Sequence, residues 1–166
     1  MPDILTHVLV GYSLGTLLVL RDAQLRPAHV TLVMIGALSP DFVKIKLLVP
    51  DAIVQTLLGV PFAWTPLHRL GGSILVVSFG ALLVAPGYRR QVIALLALGA
   101  ASHHALDLLL ITPTGYSYAV GWPLSTYHFP SPDLYLSSDR WPALVAGTVA
   151  AVIWVGRRRW SQSVGD

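Results

Sequence analysis

Five stretches of this chain are apolar over most of the length that a helix needs to cross a bilayer, and no other feature restricts its fold as strongly. The hydrocarbon core of a bilayer is about 30 Å thick, which corresponds to about 17–25 residues of helix. The five stretches are residues 5–20, 30–49, 72–85, 91–111 and 142–155. They predict an all-α, polytopic membrane protein with about five transmembrane helices, in one integral-membrane domain that covers residues 1–166.

The composition excludes an ordinary water-soluble enzyme. Hydrophobic residues make up 54% of the chain and charged residues only 11%, whereas soluble domains carry about 25% charge. All eight acidic residues are aspartates. The chain has no cysteine, which excludes disulfides, cysteine-ligated zinc, iron–sulfur clusters and thiol catalysis.

Two regions do not fit a simple membrane span. Pro40 interrupts the second stretch and removes a helical hydrogen-bond donor, so the helix is expected to kink or stop there. Residues 50–66 contain too many breaks to cross a bilayer. They are predicted to form an interfacial or re-entrant segment with Phe62 and Trp64 at headgroup level.

The basic residues predict an orientation in the inner (cytoplasmic) membrane. Five spans place seven of the eleven basic residues on one side and four on the other. Because cytoplasmic loops are enriched in lysine and arginine, the N-terminus is expected outside and the C-terminus inside. Residues 157–166 are then a basic cytoplasmic tail that sets the topology, and no nucleic-acid site is expected.

Residues 112–141 are predicted to form an extracytoplasmic loop, which holds seven of the fifteen aromatic residues. One interpretation is an aromatic belt that anchors the loop at the membrane interface. The other is a lid over a pocket large enough for a lipid headgroup. The seven aromatics are Tyr116, Tyr118, Trp122, Tyr127, Phe129, Tyr135 and Trp141.

Five ionisable residues fall near the outer ends of the predicted spans. An aspartate at the centre of a membrane helix costs about 2.5–3.5 kcal/mol, so a partner charge, water or a metal should compensate it. The predicted topology places potential metal ligands from four separate segments on the outer side of the membrane, at similar depth in the bilayer. These ligands are His7, Asp41, His68, His103 and Asp107.

The spacing in the fourth span favours a metal site. His103 and Asp107 are separated by four residues and share one helical face, but His104 and Asp107, three apart, could also meet. Imidazole and carboxylate together suit a divalent metal, with zinc favoured and manganese or iron also compatible. The alternative is a His–Asp hydrogen bond that satisfies two buried polar groups.

Three further polar residues point less specifically to a function. Arg69 could offer a phosphate its planar guanidinium, or could simply reach the headgroups as an anchor. His128 could contact a phosphate or transfer a proton, or could be a plain loop histidine. His29 lies on the predicted cytoplasmic side and is interpreted as an interfacial residue.

The sequence GYSLG at residues 11–15 matches the nucleophile motif of serine hydrolases, but it lies inside an apolar helix instead of a strand–turn–helix. Its spacing also places Gly11 and Gly15 one turn apart, which lets membrane helices pack closely. We therefore expect helix packing here, with homo-oligomerisation through Gly11 and Gly15 as one form of it.

Several short motifs occur together along most of residues 1–130. They are Thr6–His7, GALSPD at residues 36–41, His68–Arg69, Ser102–His103 with Asp107, and WPLS at residues 122–125. In this combination the chain resembles the YdjM-like family of membrane-bound metal-dependent hydrolases. One departure is Ser73, which stands where the family often has a second histidine after His68–Arg69.

The family is remotely similar to zinc phospholipase C and related nucleases, so the resemblance implies phosphoester hydrolysis. The leading hypothesis is a metal-dependent hydrolase that acts on a lipid or lipid-linked phosphoester near the outer leaflet, with Arg69 and His128 stabilising developing charge. A second hypothesis is a non-catalytic scaffold or partner subunit whose His–Asp cluster is structural. A metal or proton transporter is the least favoured, since no inverted repeat is present.

Overall fold

A computed structural model of the protein describes residues 4–163, and its regular elements are helical. The six α-helices are α1 (Ile4–Arg21), α2 (Pro27–Leu38), α3 (Asp51–Leu58), α4 (Leu70–Leu82), α5 (Arg89–Asp107) and α6 (Trp141–Ser163). Short 3-10 helices occupy Ser39–Leu47, Thr65–His68 and Pro86–Tyr88. Over residues 4–163 the β-type pairing is limited to two isolated bridges, Leu110 with Tyr135 and Tyr116 with Pro130. The all-α prediction is therefore confirmed.

The five longer helices pack in the neighbour order α6–α1–α2–α5–α4. Glycines allow the backbones of α2 and α5 to touch. A Cβ atom added at Gly36 would overlap the carbonyl of Leu96, and one at Gly99 would overlap the carbonyl of Val33. Small residues at such crossings are typical of helices that pack within a bilayer.

Helices α1 and α4 bury mainly small and polar residues and expose large apolar side chains. On α1 the buried residues are Thr6, His7, Gly11, Ser13, Gly15 and Thr16. On α4, by contrast, Leu75, Phe79 and Leu82 are 64–67% exposed. A helix in water buries its apolar stripe, so this reversed pattern suits hydrocarbon surroundings.

Of the helices within residues 4–163, α1 is long and apolar enough to cross a membrane, whereas Leu70–Leu82 is apolar but shorter. The prediction of about five spans is thus not confirmed by helix length and composition. The second predicted span is divided, because α2 ends at Leu38 and the chain continues as a 3-10 helix through Pro40. Proline disfavours the α-helical pattern at that point.

Residues 50–66 form the short helix α3 and a segment that brings the chain back to the residues just before that helix. Helix α3 ends at Leu58 and is capped by Gly59, whose φ of 67° is a left-handed conformation that glycine adopts readily. The Trp64 indole then donates to the carbonyl of Val49 at 2.8 Å, which closes the segment. Leu57 is 78% exposed and no residue of α3 is buried. The predicted interfacial position of this segment stays a prediction.

The segment predicted as a basic tail is helical as far as the structure describes it. Residues 157–163 continue α6, and the guanidinium of Arg158 lies 4.0 Å from the centre of the Trp154 ring. Residues 164–166 of the predicted tail lie outside the described part of the chain.

Candidate metal centre

The five predicted ligands come together from four parts of the chain. His7 lies in the first turn of α1, and Asp41 lies in the 3-10 helix after α2. His68 ends the 3-10 helix before α4, while His103 and Asp107 lie in the last two turns of α5. They form two overlapping groups, His7–His103–Asp107 and Asp41–His68–His103, in each of which the ligand atoms lie within 4.8 Å of one another.

Three imidazoles surround the carboxylate of Asp107. Its Oδ2 atom lies 2.6 Å from His68 Nε2 and 3.4 Å from His103 Nε2, and its Oδ1 atom lies 3.6 Å from His7 Nε2. Asp107 is also the last residue of α5, where the partial charge of the helix is already negative. A carboxylate at that position is unfavourable unless a cation lies beside it.

Two backbone carbonyls fix the orientation of the histidines. His103 donates from Nδ1 to the Ala37 carbonyl at 2.7 Å, and His68 donates from Nδ1 to the Pro40 carbonyl at 3.1 Å. In a neutral ring this leaves the lone pair on Nε2, which faces Asp107. Metal-ligating histidines are commonly held in this way. A lone pair directed at a carboxylate requires a cation between them, either a metal or a proton.

Several potential metal-ligand atoms of this cluster are buried without a hydrogen-bond partner among the described residues. They are both ring nitrogens of His7, Nε2 of His103, Oδ1 of Asp41 and Oδ1 of Asp107. An unsatisfied buried polar group costs about 1–3 kcal/mol. These buried histidine and aspartate groups could hold a metal ion. Nitrogen and carboxylate donors match zinc and manganese.

Asp41 has a cationic partner that the sequence analysis missed. Its Oδ2 atom lies 2.8 Å from Lys44 Nζ, which leaves Oδ1 for the cluster. The Lys44 side chain is 32% exposed, whereas that of Asp41 is 2% exposed. The spacing of three residues within a helix was the signal that could have identified this pair.

His104 has a different role from His103. Its Nε2 atom lies 2.8 Å from Ser73 Oγ and its Nδ1 atom 2.8 Å from the Tyr118 hydroxyl. Both ring nitrogens are therefore occupied, so His103 is the better placed ligand. Ser73, at the position of the family's second histidine, binds His104 instead. Burial raises the pKa of Tyr118 above its usual value, and the negative charges of Asp107 and Asp41 raise it further, so its hydroxyl stays neutral.

Arg69 and His128, the two predicted catalytic residues, lie outside the ligand groups. Arg69 follows His68 directly, its guanidinium lies 5.8 Å from the centre of the Trp122 ring, and its Nε is buried without a hydrogen bond among the described residues. His128 is exposed, and its Nδ1 lies 2.6 Å from the Ser117 carbonyl. Their catalytic roles stay predictions.

The aromatic loop is hydrogen-bonded to the first residue of α4 and to the segment that follows α5. Leu70 N–H donates to the Val120 carbonyl at 2.8 Å, and Ile111 N–H donates to the Tyr135 carbonyl at 2.8 Å. The Tyr135 hydroxyl donates to the Leu106 carbonyl at 2.6 Å, and burial raises the pKa of Tyr135 to about 12. Tyr118 lies in this loop with its ring centre 5.0 Å from that of His68. The loop thus contributes directly to the surroundings of the cluster.

Gly11 and Gly15 are used within the chain. A Cβ atom on Gly11 would lie 3.0 Å from Ala37 Cβ, and one on Gly15 would lie 3.0 Å from Val30 Cα. Both glycines therefore serve the contact between α1 and α2. The expected helix packing is therefore found within the chain, and the homo-oligomer through Gly11 and Gly15 stays a prediction.

Comparison with known protein families identifies the family of this chain. The family model described as YdjM inner membrane protein matches residues 1–164. The chain belongs to the YdjM family. The description supports a membrane location and confirms the resemblance seen in the sequence, and it states neither an activity nor an orientation. No curated protein and no solved structure matches the chain.

Proposed function

We propose that this YdjM-family chain is a multi-pass inner-membrane protein that holds a divalent metal, zinc or manganese, and hydrolyses a phosphoester of a lipid or lipid-linked substrate. One observation carries the proposal: buried ligand atoms without partners converge on Asp107, and backbone carbonyls orient two of the histidines. The metal ligands would be His7, Asp41, His68, His103 and Asp107.

The exposed side chains support a multi-pass arrangement. Leu144 and Val152 on α6 are 71% and 66% exposed, in addition to the exposed leucines and phenylalanine of α4. Contiguous apolar surfaces of this kind are rare on soluble monomers. Helices shorter than the bilayer can be accommodated by local thinning or by flanking residues that reach the headgroups.

The ends of α1 and α5 support an orientation with the cluster at the outer leaflet. Arg21 ends α1, about 21 Å along the helix from His7, and Arg89 begins α5, about 27 Å from Asp107. Because arginines favour the cytoplasmic side, the cluster would lie on the opposite, outer side.

A divalent ion bound in this site would supply Lewis acidity and an activated water nucleophile. The protein would supply orientation: the carbonyls of Ala37 and Pro40 hold the His103 and His68 rings in place. Arg69 would bind a phosphoryl oxygen through its guanidinium, which suits the planar geometry of phosphate. His128 would donate a hydrogen bond or a proton to the departing group.

The first test is metal analysis of detergent-purified protein, followed by turnover of a panel of phospholipids and polyprenyl phosphates. We expect about one equivalent of zinc or manganese per chain in the wild type. Hydrolysis that is lost after chelation and restored by the same metal would support the proposal. Stably bound metal without turnover of any lipid would contradict the hydrolase while leaving the metal site intact.

A second candidate function is a non-catalytic scaffold, and two observations favour it. Ser73 replaces the family's second histidine, and the 2.6 Å contact of His68 with Asp107 could also be an imidazolium–carboxylate hydrogen bond. In that case the cluster would only fix helix packing. A folded wild-type protein that binds no metal after reloading would select this function.

A further inference from the structure

We propose that the groove between α4 and α5 binds a single acyl chain of a phospholipid whose polar head reaches the candidate metal centre. The identity of that lipid as substrate rests on the proposed function. The groove has a volume of about 420 Å³ and lies between two facing helical stripes. On α5 the stripe consists of Ile93, Ala97, Ala100, Ala101 and His104, whose spacing follows one face of the helix.

One end of the groove is polar and adjoins the cluster. Ser73 and His104 both line it and are joined by the 2.8 Å contact between Oγ and Nε2. The His104 ring centre lies 5.7 Å from that of His103 and 6.2 Å from that of His68. A chain lying in the groove would therefore have its polar end beside two of the candidate metal ligands.

The length of the groove corresponds to one leaflet. From Ile93 to His104 the α5 stripe rises about 16 Å, close to half of the roughly 30 Å hydrocarbon thickness. The chain of one lipid, with its head at the outer surface, has this extent. A groove that extended across both leaflets would also be lined by the residues of α5 that precede Ile93.

Small side chains line the α5 side of the groove. The alanines at 97, 100 and 101 leave this side open, so a slender chain can lie between the two helices. Together the polar end, the length and this open side indicate one chain of a membrane lipid.

Photo-crosslinking in lipid nanodiscs tests the proposal without requiring turnover. One arm contains a phospholipid with a diazirine in one acyl chain, and the other contains a polyprenyl phosphate with a diazirine in its prenyl chain. Crosslinked residues are mapped by mass spectrometry. We expect the acyl-chain arm to label Ile74, Ala97 and Ala101 more strongly than the prenyl-chain arm does.

Two matched variants of α5 separate specific binding from contact with bulk lipid. Ala97→Phe places a ring in the groove, while Ala94→Phe adds the same ring at an exposed position outside it. Ala97→Phe should lower groove labelling about tenfold, which corresponds to lost burial of about two methylene groups. Ala94→Phe should leave the labelling unchanged. A monodisperse elution profile in both variants shows that they are folded.

The cavity of about 400 Å³ between α1 and α6 serves as the internal reference. Labelling that is equal in this cavity and in the groove, or that survives Ala97→Phe, would overturn the proposal. Absence of groove labelling by the acyl chain, or stronger groove labelling by the prenyl chain, would overturn it as well. Groove labelling in a protein without metal or turnover would retain the lipid site while rejecting the hydrolase.

Discussion

His68 and Asp107 are 39 residues apart in the chain, yet His68 Nε2 lies 2.6 Å from Asp107 Oδ2. The contact joins the segment before α4 to the last residue of α5. It brings the ring of His68 and the ring of His103 to the same carboxylate oxygen. A cation shared by these groups, either a metal ion or a proton, would account for this arrangement, because two neutral imidazole lone pairs would otherwise face an anion.

Replacement of Asp107 by asparagine should abolish the proposed metal binding. Asp107→Asn keeps the shape of the side chain but loses the negative charge at the centre of the cluster. Loss of a hydrogen-bonding partner of a ligand costs about 10–100-fold in metal affinity, so loss of this ligand should exceed about 100-fold. Competition with a chromophoric chelator would measure the change.

His29→Ala is the control for this variant, because His29 caps the start of α2 through a hydrogen bond from Arg26 N–H and lies outside the cluster. Equal zinc affinity in wild type, Asp107→Asn and His29→Ala would show that the cluster is not the metal site.

Ser73→Ala should destabilise the protein without impairing the proposed metal binding. His104 Nε2 would lose its partner, and a buried unsatisfied nitrogen costs about 1–3 kcal/mol. Denaturant titration in detergent would measure the free energy of unfolding, with metal content determined in parallel. Ser78→Ala is the matched control, since Ser78 is exposed on the same helix. Metal loss in Ser73→Ala would instead make Ser73 part of the site.

Gly99→Ala should be strongly destabilising, whereas Gly156→Ala should be tolerated. The added methyl at Gly99 would overlap the Val33 carbonyl and lie 2.5 Å from Ala37 N, which separates α5 from α2. We expect a loss of about 3 kcal/mol or more. At Gly156 no atom lies within 4 Å of the added methyl, and alanine should stabilise the helix by about 0.5–1 kcal/mol. Similar unfolding free energies for both variants would refute the close α2–α5 contact.

The orientation can be tested with single cysteines, because the chain has none of its own. Thr114→Cys places a thiol in the aromatic loop, and Gly87→Cys places one between α4 and α5; both positions are exposed. In intact spheroplasts an impermeant maleimide should label Thr114→Cys, whereas Gly87→Cys should react only after lysis. The reverse result would invert the proposed topology.

Stability should decline at alkaline pH through the loop tyrosines. The pKa of Tyr118 is raised, so the folded protein keeps a proton that the unfolded chain loses above about pH 10. The stabilisation from this group is therefore complete below pH 10 and decreases as the pH rises, by at most about 1.4 kcal/mol per pH unit. Tyr135, with its pKa of about 12, adds to the decline between pH 10 and 12.

Unfolding free energies from pH 9 to 11 would measure this slope. Tyr118→Phe should reduce it, while Tyr127→Phe, at an exposed loop position, should not. Identical slopes for wild type and Tyr118→Phe would show that the Tyr118 hydroxyl ionises as it does in the unfolded chain.

The sequence predicted correctly what depends on local pattern. Apolar runs predicted helices, Pro40 predicted the end of α2 nearby, and the motifs around His7, Asp41 and His68 indicated the family. The extent of α6 and the packing partners of a helix depend on neighbours that local pattern does not specify. Residues 157–163 continue α6, and the expected helix packing at Gly11 and Gly15 is found between α1 and α2.

The sequence by itself determined the helical class, the membrane character and the set of candidate ligands, because each depends on residue type and periodicity. Only the tertiary structure decided between His103 and His104, since both spacings reach Asp107. The decision depends on groups distant in sequence: the Ala37 carbonyl orients His103 toward Asp107, whereas Ser73 and Tyr118 occupy both nitrogens of His104. Backbone carbonyls and a loop hydroxyl carry no sequence signature, and folding alone brings them to the site.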